Sequence, residues 1–493
     1  MKDHMDERQE SLDGTTDLLG AGPEKKFGSP KQTPGLVQRL GLFDATMIVM
    51  GGIVGTGIFV VPELVAMQVH TPLQILGVWV LGGLVAICGG LVYAELSARY
   101  PEVGGQYAYL REAYHPIVAF LFGWGLLLVM QTGAVASVAM IFARYFIDQS
   151  HVHLTEGFVA GLAIAIFTVV NCLGVRIGGT VQNAFMVSKI VVIAALIGCG
   201  VILGRSNSIG WTHASGPHTS GNILTAIGAA MVPVLFTYSG WQAATFVSSE
   251  VRNPRRNMPL ATVLGVSSVI IMYCLVTFVD LLVLGPERLA HTDAPASAVM
   301  RIVLGGRGAT FIAVGIMIAA LGYIAQAALT APRVYYAMAQ DKLFFKSLAW
   351  LPDRTHAPVL AILLQGICAI AIALSGRYDQ VLTYVMSIEF IFFCLTGASI
   401  FIFRRRTAAS IRKGIPGAVD ETQYEMPGHP VTTLIFILVC GGVSVNMFRI
   451  YPINSFLGLG ILLAGVPVYL YWERRNRKES KEAAANVSAS SQN

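Results

Sequence analysis

One glycine-rich stretch in apolar surroundings could bind an anion without any charged side chain. Met50–Phe59 holds four glycines within seven residues, and glycine at this density weakens a helix. An interrupted helix would leave free N–H groups at Thr56, Gly57 and Ile58, where the positive end of the following half-helix suits a carboxylate. The alternative is close packing of the small residues against a neighbouring helix.

A second interruption lies at residues 233–241, where Pro233 and Gly240 flank two hydroxyl residues in an otherwise apolar stretch. Proline and glycine are frequent in membrane helices, so this stretch carries weight through its pairing with the first. Carbonyl groups freed at the two interruptions suit an ammonium group. They belong to Ile53, Phe236, Thr237 and Ser239. Together the two stretches predict a site for a small zwitterion.

Three ionisable residues lie deep in apolar stretches, where an unpaired charge is costly. Lys189 either extends its charge to the membrane interface or has a functional role. For Asp280 and Glu389, a solvated or paired structural role is favoured over proton coupling.

The elements that must position these residues are membrane-spanning helices. The chain is 54% apolar and 13% charged, too apolar for a water-soluble core of 493 residues. Apolar stretches long enough to cross a bilayer run from residue 44 to residue 472. They predict an all-α polytopic membrane protein with twelve transmembrane helices.

The interruptions fall in the first and sixth predicted helices, which are five positions apart in the order of helices. An odd spacing predicts an inverted repeat, with a first copy at 44–204 and a second at 222–403. Two extra helices at 431–472 follow. The polar tails, 1–43 and 473–493, are predicted to be disordered and cytoplasmic.

Charge and cysteine usage limit the possible partners. Most of the 34 lysines and arginines fall in the tails and alternate loops, which predicts cytoplasmic termini. The net charge of +6 then needs no nucleic-acid partner, because attraction to anionic lipid of the inner leaflet is sufficient. All seven cysteines fall in predicted spans without ligand spacing, so no disulfide, metal or cofactor is expected. No hydrolase or metalloenzyme motif appears, which argues against an enzyme.

The chain resembles the amino acid-polyamine-organocation superfamily over about residues 38 to 472, and within it the L-type and related amino acid transporters. Gly52–Phe59 is similar to the family's Gly-Ser/Thr-Gly-Ile-Phe signature. Further matching residues are Tyr93, Ala94, Glu95, Leu96, Pro101, Gly104, Gly105, Tyr107, Tyr109, Phe236 to Trp241, Glu250, Asn253, Pro254, Arg255, Arg256, Asn257 and Pro259. The resemblance implies a five-plus-five inverted repeat with two further helices and alternating access around a central site.

The resemblance also implies roles for individual residues. The substrate carboxylate would bind at Gly55, Thr56 and Gly57. The amine would bind the carbonyls of Ile53, Phe236, Thr237 and Ser239, with the Phe236 ring as a gate. The ammonium of Lys189 would occupy the place of a sodium ion, so transport is expected to be sodium-independent.

The expected function is secondary active transport of amino acids across the cell membrane, by exchange or proton coupling. A side-chain pocket is predicted at Gln131, Tyr323, Ala325 and Gln326, although ordinary helix packing explains any one of them. With no acid placed there, a neutral substrate is favoured over a cationic amino acid or polyamine. A transport-inactive sensor is a further alternative. The loop 148–156 holds no cysteine, so a disulfide-linked heavy chain is not expected.

Overall fold

The computed structural model describes residues 36–204, 223–375, 378–413 and 424–490, and no β-strand occurs among them. Residues 1–35 of the predicted disordered N-terminal tail lie outside the described residues. The α-helices are α1 Leu42–Ile53, α2 Val61–Gln68, α3 Pro72–Arg99, α4 Gln106–Ala113, α5 Pro116–Gly125, α6 Gln131–Ser150, α7 Glu156–Cys172, α8 Val175–Leu203, α9 Ile223–Tyr238, α10 Pro254–Leu289, α11 Pro295–Thr330, α12 Pro332–Gln340, α13 Val359–Ser375, α14 Tyr378–Arg412, α15 Val431–Ile450, α16 Pro452–Leu463 and α17 Gly465–Ser490.

The helices are long and apolar enough for a polytopic membrane protein. In the described ranges, nine helical stretches could cross a membrane by length and composition. Three shorter apolar helices, α1, α7 and α13, accompany them. Large apolar side chains also cover the outer surface, among them Ile202, Leu224 and Leu438. An apolar exterior of this kind matches hydrocarbon rather than water.

Both interruptions that the sequence predicts are present. The first helix stops at Ile53 and resumes as α2 at Val61, with a short 3-10 turn at Gly57–Phe59 between them. The sixth stops at Tyr238 and continues as a 3-10 helix, Trp241–Glu250. Gly240 sits at this second break with a φ of 118°, in the left-handed region that side chains disfavour.

The two breaks touch each other through their backbones. A Cβ atom added to Gly52 would lie 2.5 Å from the carbonyl oxygen of Gly240, and one added to Gly240 would overlap the carbonyl oxygen of Gly52. Only glycine permits this approach at either position. The glycines of both stretches therefore serve contact between the breaks as well as the interruption itself.

A main-chain clasp, formed by residues 39–40 and 250–252, joins the segment before α1 to the end of the sixth helix. The N–H groups of Arg39 and Leu40 donate to the carbonyl oxygen of Glu250 at 2.9 and 3.0 Å. In return, the N–H of Arg252 donates to the carbonyl oxygen of Leu40 at 2.8 Å. The clasp lies at the ends of the two half-helices that are remote from the breaks, because residues 39–40 precede α1 and Glu250 ends the 3-10 helix.

Three ion-pair groups lie on the side of the molecule where α3 ends and α4 and α12 lie. Arg333 pairs with Glu250 at 2.8 Å, and both side chains are almost fully buried. Arg111 contacts Asp341 at 2.7 Å. The third group joins Glu95 of α3 to Arg404 of α14 at 2.7 Å. These pairs link helices that are distant in sequence.

The helix α17 continues to Ser490, through most of the segment from residue 473 that the sequence predicts to be a disordered tail. The side chains explain the helix. Glu473 pairs with Arg477 at 2.8 Å, and Arg475 pairs with Glu479 at 3.1 Å, each four residues apart. Such pairs stabilise a helix, and the segment is rich in strong helix formers.

Candidate substrate site

A cavity of about 760 Å³ lies where the two breaks meet. Its size suits a small organic molecule. Of the residues predicted to bind substrate, ten line it: Ile53, Gly55, Thr56, Gly57, Gln131, Phe236, Thr237, Ser239, Tyr323 and Gln326. The structure therefore gathers residues from four separate stretches of the chain around one space.

Free backbone donors border the cavity at the first break. Among the described residues, the N–H groups of Thr56, Gly57 and Ile58 make no backbone hydrogen bond, whereas those of Phe59 and Val60 donate to Thr56 and Gly57 carbonyl oxygens. The three donors precede α2, where the helix dipole is positive. This arrangement can receive a carboxylate.

The backbone carbonyls predicted to hold an amine are partly engaged within the protein. The Ile53 oxygen accepts from the Tyr273 hydroxyl at 3.0 Å and from the Gly55 N–H at 2.9 Å. The Phe236 oxygen accepts from the N–H of Ser239 and from its hydroxyl, the latter at 2.8 Å. Because a carbonyl has two lone pairs, an incoming ammonium must displace one of these donors. The freely rotating hydroxyl of Ser239 is the one that can turn away.

Lys189 reaches the first break and not the membrane interface. Its side chain is 2% exposed, and its Nζ donates to the carbonyl oxygen of Val54 at 2.6 Å. A Cβ on Gly322 of α11 would lie 2.6 Å from the Lys189 Cε. The ammonium thus lies between the first break and α11, a buried position that favours the functional interpretation over snorkelling.

The structure brings three of the four residues predicted to form a side-chain pocket to the same cavity. Gln131, Tyr323 and Gln326 line the cavity, but Ala325 does not. Ala325 packs in an apolar cluster with residues of α6, α7 and α13. Residues two apart on a helix point to nearly opposite sides, so Ala325 faces away from the side that Tyr323 presents.

Two polar residues complete the cavity wall, and the sequence did not place them there. Glu389 of α14 lines the cavity, where it meets Gln242 from the second break. The Gln242 Nε2 donates to the Glu389 Oε1 at 2.9 Å. Glu389 was recognisable as an intramembrane acid, but its direction depends on how α14 packs. Asp280, by contrast, is buried outside the cavity lining.

Comparison with known proteins identifies the family of this chain. The family model described as amino acid permease matches residues 40–469. The b(0,+)-type amino acid transporter 1 of Oryctolagus cuniculus is 30% identical over 393 residues, which is 77% of this chain and 79% of the relative.

Two further relatives match over longer stretches. The serine/threonine exchanger SteT of Bacillus subtilis (strain 168) is 28% identical over 90% of this chain and 98% of its own. The large neutral amino acids transporter small subunit 2 of Homo sapiens is 25% identical over 92% and 84%. These relatives are transporters and not enzymes, so the resemblance inferred from the motifs is confirmed. The chain belongs to the amino acid permease family, within the amino acid-polyamine-organocation superfamily.

Proposed function

We propose that this protein is a secondary active transporter that moves amino acids across the cell membrane by alternating access, without sodium. The observation that carries the proposal is the cavity between the two breaks. Free N–H donors border it at Thr56 and Gly57, and the carbonyls of Ile53 and Phe236 border it nearby. A free amino acid offers one negative and one positive group to these two sets.

The proposal includes a twelve-helix topology with repeats at 44–204 and 222–403, helices at 431–472 and cytoplasmic termini. The nine long and three shorter apolar helices of the described ranges support the count. The cavity extends to Met67 and Gln68 at the end of α2 and to Tyr451 after α15. With cytoplasmic termini, that end faces the outside, and the ion pairs close the inside.

The substrate expected first is a neutral amino acid. One relative is named for serine and threonine and another for large neutral amino acids, which supports this choice. A cationic substrate is the second candidate, because Glu389 lines the cavity. The name of the bacterial relative also supports exchange as the mode of transport.

Reconstitution of the purified chain tests the proposal directly. Proteoliposomes loaded with a mixture of amino acids should accumulate radiolabelled serine or leucine against an unlabelled interior pool. A sensor would bind the label without accumulating it. Because no heavy chain is added, accumulation would also support the proposal that the chain works without a disulfide-linked partner. If amino acids bind to the protein but none accumulates in the proteoliposomes, the proposal that the protein is a transporter is wrong.

Replacing external sodium with choline should leave uptake unchanged. The ammonium of Lys189 already donates to the first break and lies against Gly322 of α11, where it would take the place of the metal cation. The measurement is initial uptake at equal ionic strength in sodium and choline buffers. A loss of uptake in choline that sodium restores would contradict the assignment.

Removing either partner of the buried pair Glu250–Arg333 should destabilise the protein. Arg333→Met leaves a buried carboxylate without its cation, which costs roughly 3 to 5 kcal/mol. The double change Glu250→Met with Arg333→Met removes both charges and should recover much of the lost thermal stability. Thermal midpoints in detergent measure this. A double variant as unstable as the single one would show that the pair itself is not the cause.

A further inference from the structure

The polar half of α17 docks on the loop that follows α12. Asn476 Nδ2 donates to the carbonyl oxygen of Lys342 at 2.9 Å, and Glu479 pairs with the ammonium of Lys346 at 3.0 Å. Trp472, one turn before Asn476, is buried beside the same loop. These residues of α17 share one side of the helix because they follow each other at helical spacing. One side of the helix is therefore used for contact with the protein.

The other side of the same segment carries four basic residues, which we call the basic face: Arg474, Arg475, Arg477 and Lys478. They fall within less than half of the helix circumference, and all four are exposed. Arg475 and Arg477 each form an ion pair with a glutamate of α17. Arg474 and Lys478 form none with any residue that the structure describes. The basic face therefore holds two positive charges without a partner.

The basic face continues an exposed apolar side of α17. Leu470 and Tyr471 are 41% and 61% exposed, and both belong to a stretch that could cross a membrane by length and composition. Tyr471 shares one side of the helix with Arg474 and Lys478, which follow it at helical spacing. Tyrosine at the end of a span is typical of the membrane–water interface. The basic face thus begins where hydrocarbon gives way to lipid headgroups.

This position favours one class of ligand. The guanidinium group of arginine binds phosphate oxygens through two parallel N–H groups, and lysine binds them as a point charge. Basic residues immediately beyond a membrane span attract anionic lipids. An acidic protein could also meet the charges, but the exposed Leu470 and Tyr471 require a partner that is apolar next to its negative group. A phospholipid combines both properties.

We propose that the basic face of α17 binds the phosphate groups of anionic lipids in the inner leaflet, and that the bound lipid holds α17 and the loop docked on it at the membrane surface. The site is more than the general attraction of a positively charged protein to the membrane, because it belongs to one side of one helix. The inference goes beyond the proposed transport and shares with it only the cytoplasmic position of the C-terminus.

The test uses the purified full chain in dodecyl maltoside micelles that contain either phosphatidylcholine or an equal fraction of phosphatidylglycerol. Phosphatidylglycerol should raise the thermal midpoint of unfolding, because a ligand that binds the folded protein stabilises it. Each basic residue near an anionic surface contributes a factor of about five to binding. Arg474→Gln combined with Lys478→Gln should therefore raise the phosphatidylglycerol fraction that gives half of the shift roughly twentyfold.

Arg405→Gln combined with Arg412→Gln is the matched control. Both arginines are exposed in the last turns of α14, and neither forms an ion pair with a described residue. This double variant loses the same charge as the variant of the basic face, and it should keep the wild-type response to phosphatidylglycerol. Glycerol phosphate, which offers the headgroup without the acyl chains, should not raise the midpoint at the same concentration.

Three results would overturn the inference: equal stabilisation by the two lipids, an unchanged response in the variant of the basic face, or the same loss in the control variant. The last result would indicate an attraction spread over the whole charged surface. An equal shift with glycerol phosphate would assign the basic face to a soluble phosphate compound instead of a lipid. None of these measurements involves transport, so their failure leaves the proposed function intact, and absence of uptake in proteoliposomes would leave the lipid site intact.

Discussion

Gly57→Leu should lower amino acid uptake about a hundredfold while the protein still inserts and folds. A Cβ at this position would lie 3.0 Å from both the Cγ2 and the Oγ1 of Thr237, so the leucine side chain must extend into the cavity between the breaks. It would occupy the space in front of the N–H groups of Thr56 and Gly57. Loss of two charge-assisted hydrogen bonds to the carboxylate is worth roughly this factor.

The measurement is initial uptake by proteoliposomes with equal amounts of monodisperse protein. Gly77→Leu is the matched control, because a Cβ at Gly77 of α3 meets no atom within 4 Å. That variant should transport at the wild-type rate. If the Gly57→Leu variant takes up substrate at a rate close to that of the Gly77→Leu control, the substrate carboxylate does not bind at the first break.

Lys189→Met should lower uptake at least about tenfold, the factor that corresponds to one hydrogen bond from a charged donor. Methionine fills a similar volume but cannot donate to the carbonyl oxygen of Val54. That oxygen would be left without its donor in a buried position, and the link between α8 and the first break would be lost. The readout is the uptake rate in sodium and in choline buffers.

Val191→Met is the control for this change, because Val191 is 59% exposed on the outer surface of α8. It should transport like wild type. A bulky residue at Gly322 should reproduce the effect of Lys189→Met while the lysine itself is kept, because a Cβ there would displace the Lys189 side chain. Wild-type uptake by Lys189→Met would show that the ammonium does not support the break.

The positions of the breaks could be predicted from sequence because their causes are local. Glycine density around Gly55 and Gly57, and the Pro233 to Gly240 stretch, act on the backbone where they occur. The residues bordering the breaks line the cavity because the breaks themselves form its wall. The contact between Gly52 and Gly240 was not predictable, because it depends on how the two half-helices approach each other.

The rest of the cavity wall depends on helix rotation, which apolar sequence does not specify. On α11 nearly every residue is apolar or small, so periodicity did not distinguish Tyr323 from Ala325. The same limit applies to Glu389: the sequence shows that the residue is an acid, but not the direction in which its side chain points. The helical continuation to Ser490 differs from the predicted tail for another reason: a charged composition favours disorder, although the spacing of these charges also suits an extended helix.

The main-chain clasp is a connection that changes of side chain during evolution leave largely intact. Its three hydrogen bonds use only backbone N–H and carbonyl groups of residues 39–40 and 250–252, so most substitutions there leave every donor and acceptor in place. Alanine scanning would therefore overlook it, whereas proline at Leu40 would delete one donor. Sequence divergence at these positions would then leave the free-energy cost of opening the clasp unchanged.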